Sequence, residues 1–194
     1  MGRRAILMDR DGTICDEVGY VNHVDRVRLL PRSAEAIRKA NEAGFQTVVI
    51  TNQAGVARGY FAESLVDEVH DRMRRLLAES GARLDGIYYC PHHPEVGGSL
   101  YRKACDCRKP RPGLLYRARD EMGIDLAASY VVGDSVRDVE AGHRAGAVTV
   151  LVETGYGKGV LAYQAHAWRV RPDHVAGDLL DAVDWILARE EGSR

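Results

Sequence analysis

The chain alternates short apolar runs with longer stretches whose apolar residues recur every three or four positions. Runs of four to eight residues rich in β-branched side chains predict buried strands, and the three-to-four spacing predicts amphipathic helices. Strands are predicted over residues 4–9, Phe45 to Ile50, Gly86 to Tyr89, Tyr130 to Val132, 147–152 and a short stretch near 174–176. A helix runs from Ser33, read as its N-cap two residues after Pro31, through Ile37 and Ala40 to a stop at Gly44. A longer one spans 62–80, with Leu65, Val69, Met73, Leu76 and Leu77 on one face. Pro112 opens a helix to about Met122, Ser135 caps one that ends near Gly146, and a last helix covers about 178–189. Two stretches carry no clear period: a long irregular segment at about 90–110, and residues 153–170, glycine-rich at their start.

Strands alternating with helices predict an α/β fold, a Rossmann-like three-layer sandwich with a mostly parallel central sheet, in one domain over 1–194. In such sheets ligands bind beyond the carboxyl ends of the strands. Asp9, Thr51, Cys90 and Asp134 all fall there, which gathers separate motifs into one site.

Composition narrows the partners. Of 194 residues, 45% are hydrophobic and 28% charged, as in an ordinary globular protein, and the net charge of -1 gives no reason to expect nucleic acid. No apolar stretch reaches the roughly 20 residues of a membrane span, and the first strand begins too early to leave room for a signal peptide. The expectation is a cytoplasmic protein, and nothing in the chain demands more than a monomer.

The chemistry begins in Ile6-Leu7-Met8-Asp9-Arg10-Asp11-Gly12-Thr13. Two carboxylates at i and i+2 leave a strand on the same face, where they repel unless a cation lies between them. A glycine follows, letting the chain turn and aim backbone N–H groups at an anion. This pattern predicts a magnesium-assisted phosphate site, with Asp9 as nucleophile and Asp11 as general acid and base. Asp134, after Tyr130-Val131-Val132-Gly133, supplies a further hard oxygen ligand, and Asp138 braces the site from behind. Thr51 offers a hydroxyl to a phosphoryl oxygen, and Lys109 a point charge for the transferring group.

Three of the four cysteines lie within 18 positions, with two histidines among them. Cys90-Pro91-His92 and Cys105-Asp106-Cys107 form two short ligand pairs that predict a closed tetrahedral zinc site, with His93 as the competing ligand. Such a site would staple the irregular segment, because its binding energy becomes folding energy.

Together these residues resemble the haloacid dehalogenase superfamily of phosphatases. The signature is Asp9-Arg10-Asp11-Gly12-Thr13, then Thr51-Asn52-Gln53, Lys109 and Gly133-Asp134. The narrower likeness, to a zinc-loop branch acting on sugar bisphosphates, rests on Gly19-Tyr20-Val21, residues 51–59, 85–94 and Cys105 to Pro110, and fades after about residue 155. The resemblance implies no large cap domain, magnesium held by Asp9, Asp134 and the Asp11 backbone carbonyl, and zinc held by Cys90, His92, Cys105 and Cys107. It also implies a small-molecule sugar bisphosphate bordered by Glu17, Val18, Gly19, Tyr20, Asn52, Gln53 and Ala54, with Arg108 on its distal phosphate. Family members often carry lysine after the third metal aspartate; here it is Ser135, with Arg137 close by. Histidinol phosphatase and a non-catalytic zinc-containing module are the competing functions.

Overall fold

A six-stranded, wholly parallel sheet in the order β3-β2-β1-β4-β5-β6 organises the protein. The computed structural model describes residues 2–192; residue 1 and residues 193–194, the ends of the predicted domain, lie outside the described residues. The strands are β1 (Ala5–Met8), β2 (Gln46–Asn52), β3 (Gly86–Cys90), β4 (Tyr130–Gly133), β5 (Val148–Val152) and β6 (His174–Ala176). The helices are α1 (Ser33–Glu42), α2 (Glu63–Ala78), α3 (Gly113–Met122), α4 (Val136–Ala145), α5 (Gly157–Tyr163) and α6 (Leu179–Glu191).

All four β1 residues are buried, as a strand covered on both faces requires. Alternation splits them between two cores. Ile6 and Met8 join Ala36 and Ile37 of α1, Val69 and Met73 of α2, and Val183 and Ile186 of α6. Ala5 and Leu7 face the opposite way, against Leu114, Leu115 and Ala118 of α3 and Ala141 of α4. That is the predicted three-layer sandwich. Each large β1 side chain contributes roughly 1.5–3 kcal/mol through burial.

Two local details differ from expectation. Ser33 is the first residue of α1 rather than its cap. Its hydroxyl donates to the Leu30 carbonyl (2.9 Å), and Arg32 takes the cap position at a φ of 64°. In the stretch 153–170, α5 forms where no period was legible. Seven residues are too few to show a face, and their burial comes from a small cluster of Val139, Leu151 and Val160.

The sheet order places β1 between β2 and β4, where the connections change direction. A crevice opens at such a point beyond the carboxyl ends of the strands.

Candidate active site

Asp9 leaves β1 in that crevice, at the floor of a cleft of about 290 Å³. Its Oδ1 accepts from the Arg10 backbone N–H (2.7 Å), and its Oδ2 meets Lys109 Nζ at 2.9 Å. Lys109 is only 4% exposed and uses its ammonium fully: Nζ also meets Asp138 Oδ1 at 2.6 Å and donates to the Ile50 carbonyl at 2.7 Å. A buried charge survives only when paired in this way. The Asn52 side chain clamps the lysine's backbone, donating to its carbonyl (3.1 Å) and accepting from its N–H (3.0 Å).

Asp138 is fixed by its own helix, since Ser135 N and Oγ both donate to its Oδ2 (3.1 and 2.6 Å) in a capping box at the start of α4. Its expected bracing role thus takes the form of an ion pair to Lys109.

Asp134 sits at the end of β4 in a cradle of backbone. A Cβ on Gly12 or on Gly155 would fall 2.1 Å from Asp134 Oδ2, and both glycines adopt positive φ (78° and 54°). The Tyr156 backbone N–H donates to the same oxygen (2.8 Å), and Thr154 Oγ1 donates to the Gly12 carbonyl (2.6 Å). The loop after β5 therefore closes onto the loop after β1.

Asp9, Asp134 and Asp138 present carboxylate oxygens within 4.8 Å of one another. Burial pushes Asp134 up to about 8, with Asp9 and Asp138 adding repulsion. Burial also raises Asp9 to about 6 against the pull of Lys109. Carboxylates so crowded and desolvated fit a hard divalent cation, and Asp9, Asp134 and Asp138 all present an oxygen to the point where it would sit. The sign of the pH dependence follows. Between roughly pH 4 and pH 8 the folded protein holds protons that the unfolded chain has released, so stability falls as pH rises. Magnesium-free protein should lose on the order of a few kcal/mol across that window. A thermal melt would show this as a drop of roughly 5–10 °C. Adding magnesium at pH 8 should restore most of it, and a melting temperature flat in both pH and magnesium would refute the assignment.

Asp11 points into the same cleft with both oxygens engaged. Arg10 grips it through Nε (3.0 Å) and Nη2 (2.8 Å), and Gln53 Nε2 donates to its Oδ2 (2.9 Å) and to Thr51 Oγ1 (3.0 Å). Among the residues expected around a substrate, Glu17, Gly19, Tyr20, Asn52, Gln53 and Ala54 line the cleft. Val18 does not; it packs against the core, and its carbonyl accepts from Arg26. Arg108 stands outside the cleft floor, donating to the His92 carbonyl (3.2 Å) beside a neighbouring cavity shared with Lys103 and Arg144. Burial and the nearby Arg137 hold its guanidinium below the ordinary value.

Cleft residues that the sequence did not point to are Val136, Tyr156, Val160 and Gln164. Glycine flanking Tyr156 directly after an apolar strand was the available signal, because it marks another turn at the same sheet edge.

The Cys/His cluster assembles beside this cleft. The Sγ atoms of Cys90, Cys105 and Cys107 lie 3.1–3.4 Å apart, and His92 Nδ1 is 3.3 Å from Cys107 and 3.6 Å from Cys90. Hydrogen bonds from Cys90 first, then Cys105 and His92, pull the Cys107 thiol down to about 5. Three soft sulfurs and one imidazole nitrogen enclosing a point could hold zinc. His93 points away: its Nε2 faces Arg58 (3.2 Å), and its Nδ1 accepts from the Glu95 and Val96 N–H groups. Cys15 is buried elsewhere.

A parallel sheet whose central strand ends in paired aspartates, backed by a buried lysine and a third aspartate, defines a haloacid-dehalogenase-type hydrolase. The HAD-hydrolase-like family model matches residues 106–182. The chain is 47% identical over 152 residues to the D-glycero-beta-D-manno-heptose-1,7-bisphosphate 7-phosphatase of Escherichia coli (strain K12), covering 78% of this chain and 80% of that protein. It is 45% identical over 184 residues to that of Salmonella typhi, covering 94% and 89%. A crystal structure of D,D-heptose 1,7-bisphosphate phosphatase from B. bronchiseptica, complexed with magnesium and phosphate, superposes with a TM-score of 0.86 at 35% identity, covering 96% of this chain and 99% of that one. The chain belongs to the D-glycero-beta-D-manno-heptose-1,7-bisphosphate 7-phosphatase family.

Proposed function

We propose that this protein removes the 7-phosphate of D-glycero-D-manno-heptose 1,7-bisphosphate through an aspartyl phosphate on Asp9, in nucleotide-heptose precursor synthesis. The position of Asp9 carries the chemistry: a carboxylate on the cleft floor, steadied by Lys109. One Asp9 oxygen attacks phosphorus, and the bond from phosphorus to the sugar oxygen breaks. Asp11 gives that leaving oxygen a proton. Water then attacks the aspartyl phosphate while Asp11 takes its proton, releasing inorganic phosphate and restoring Asp9. Thr51 and Lys109 support the phosphoryl oxygens. Magnesium, held by Asp9, Asp134 and the Asp11 carbonyl, would offset the charge of two anions meeting at phosphorus.

Zinc on Cys90, His92, Cys105 and Cys107 would be structural, since four protein ligands leave no open position. Arg108, beside Arg137 at the rim, suits the distal phosphate. The enzyme is proposed to be a cytoplasmic monomer; among the described residues no helix is long and apolar enough to cross a membrane.

What supports the substrate is identity to the named relatives along most of the chain, at 45% over 184 residues for one of them. A phosphate-release screen over both heptose bisphosphate anomers, histidinol phosphate and simple sugar monophosphates tests it. The heptose bisphosphates should lead by about tenfold or more in kcat/KM, and the β anomer, which the curated relatives' names specify, should be the better of the two. A preference for histidinol phosphate would overturn the substrate, and no turnover of anything would overturn the enzyme.

A further inference from the structure

Arg10 lies between the two catalytic carboxylates in sequence, yet it is 2% exposed and heads the largest fully buried side chains. A guanidinium carries only donors, and burying it requires an acceptor for each direction in which it points. Two of its donors form the parallel fork on Asp11. The third direction, Nη1, meets His70 Nε2 at 3.3 Å. Arginine cannot accept, so His70 Nε2 must be the acceptor and the ring neutral; burial first, then Arg10 and Arg74, hold its pKa down at about 3.

His70 belongs to α2, 60 residues from Arg10, and is itself 5% exposed. Its ring stands edge-on to Tyr89 of β3, with centroids 5.6 Å apart at 60°, and Tyr89 donates its hydroxyl to Glu63 at the start of α2 (3.1 Å). The buried imidazole thus packs against β3 as well as meeting Arg10. A fork that is anchored at its far side fixes both the place and the plane of the carboxylate it grips.

We infer that Arg10 and His70 are a positioning pair, in which a neutral imidazole on α2 anchors the guanidinium that aims Asp11 at the leaving oxygen. This rests on the reading of Asp11 as the proton donor. Neither residue lines the cleft. Their effect should therefore be confined to steps in which Asp11 moves a proton.

The test is the dependence on leaving group. The sugar oxygen of the heptose bisphosphate needs a proton as it departs, whereas p-nitrophenolate leaves without one. His70→Leu should lower kcat/KM for the heptose bisphosphate by about tenfold to a hundredfold, as misaimed catalytic groups do. For p-nitrophenyl phosphate the change should stay within about twofold. His70→Gln, which retains an acceptor for the arginine, should recover most of the loss. Equal losses on both substrates, or none on either, would overturn the inference. If His70→Leu does not fold, Arg10→Lys, which keeps the charge and loses the fork, decides by the same ratio. Asp11→Asn separates the two levels. If Asp11→Asn discriminates between the substrates and His70→Leu does not, only the positioning pair fails. If Asp11→Asn does not discriminate, the proton-donor reading fails with it.

Discussion

Asp9→Asn should reduce phosphate release by on the order of 10⁴-fold or more while leaving the fold and the Cys/His cluster in place. The amide is isosteric and can still accept from the Arg10 N–H, so the local backbone contact survives. What disappears is the proposed oxygen nucleophile and one negative charge from a crowded carboxylate group. Because burial and neighbouring aspartates already raise Asp9 to about 6, removing its charge relieves repulsion. The variant should accordingly melt no lower than the parent in magnesium-free buffer at neutral pH. The measurement pairs phosphate release from the heptose bisphosphate with a thermal melt and trapping by beryllium fluoride. The parent should carry the trapped phosphoryl mimic on Asp9, and the variant should carry none. Turnover within tenfold of the parent would remove the covalent mechanism.

Zinc removal should have a comparably large effect, reached by a different route. Residues 91–112 form neither helix nor strand beyond an isolated bridge between His93 and Arg102. This segment nonetheless delivers Lys109 to Asp9. Cys105 and Cys107 meet Cys90 at the end of β3 and His92, which ties the segment back to the sheet. Structural zinc in small sites contributes roughly 10–16 kcal/mol of apparent binding energy, all of which favours the folded form. Cys107→Ser, or stripping with a zinc chelator in magnesium-replete buffer, should free the segment and lower the melting temperature by about 10 °C or more. Activity should fall by about a hundredfold as well, because on the proposed mechanism a lysine displaced by an ångström would no longer neutralise the transferring group. Metal analysis, a melt and a kcat measurement on the same sample check all three. A zinc-free protein with full stability and full turnover would contradict the structural assignment.

The two predictions differ in how much the chain reveals locally. The strand before Asp9 is legible because a run of four apolar residues buried on both faces has no competing conformation once two carboxylates and a glycine end it. The ligand pairs 90/92 and 105/107 are legible because metal coordination requires short spacings. His93 was not separable from His92 by spacing alone; the structure distinguishes them, since the His93 ring is spent on Arg58 and on backbone N–H groups. Val18 was expected at the substrate border with its neighbours, yet its side chain turns to the core and leaves the cleft to Glu17, Gly19 and Tyr20.

The sequence by itself determined the order of elements, the strand-end aspartates and the Cys/His spacing, because hydrophobic period and chain reversal are properties of neighbouring residues. Only the tertiary structure decided what holds those groups. Gly155 and Tyr156 enclose Asp134 from a loop more than twenty positions away, Asp138 shares Lys109 with Asp9, and His70 on α2 anchors the arginine that grips Asp11. Such contacts arise when the sheet closes and distant segments compete for the same buried charges. No local pattern records which of them prevails.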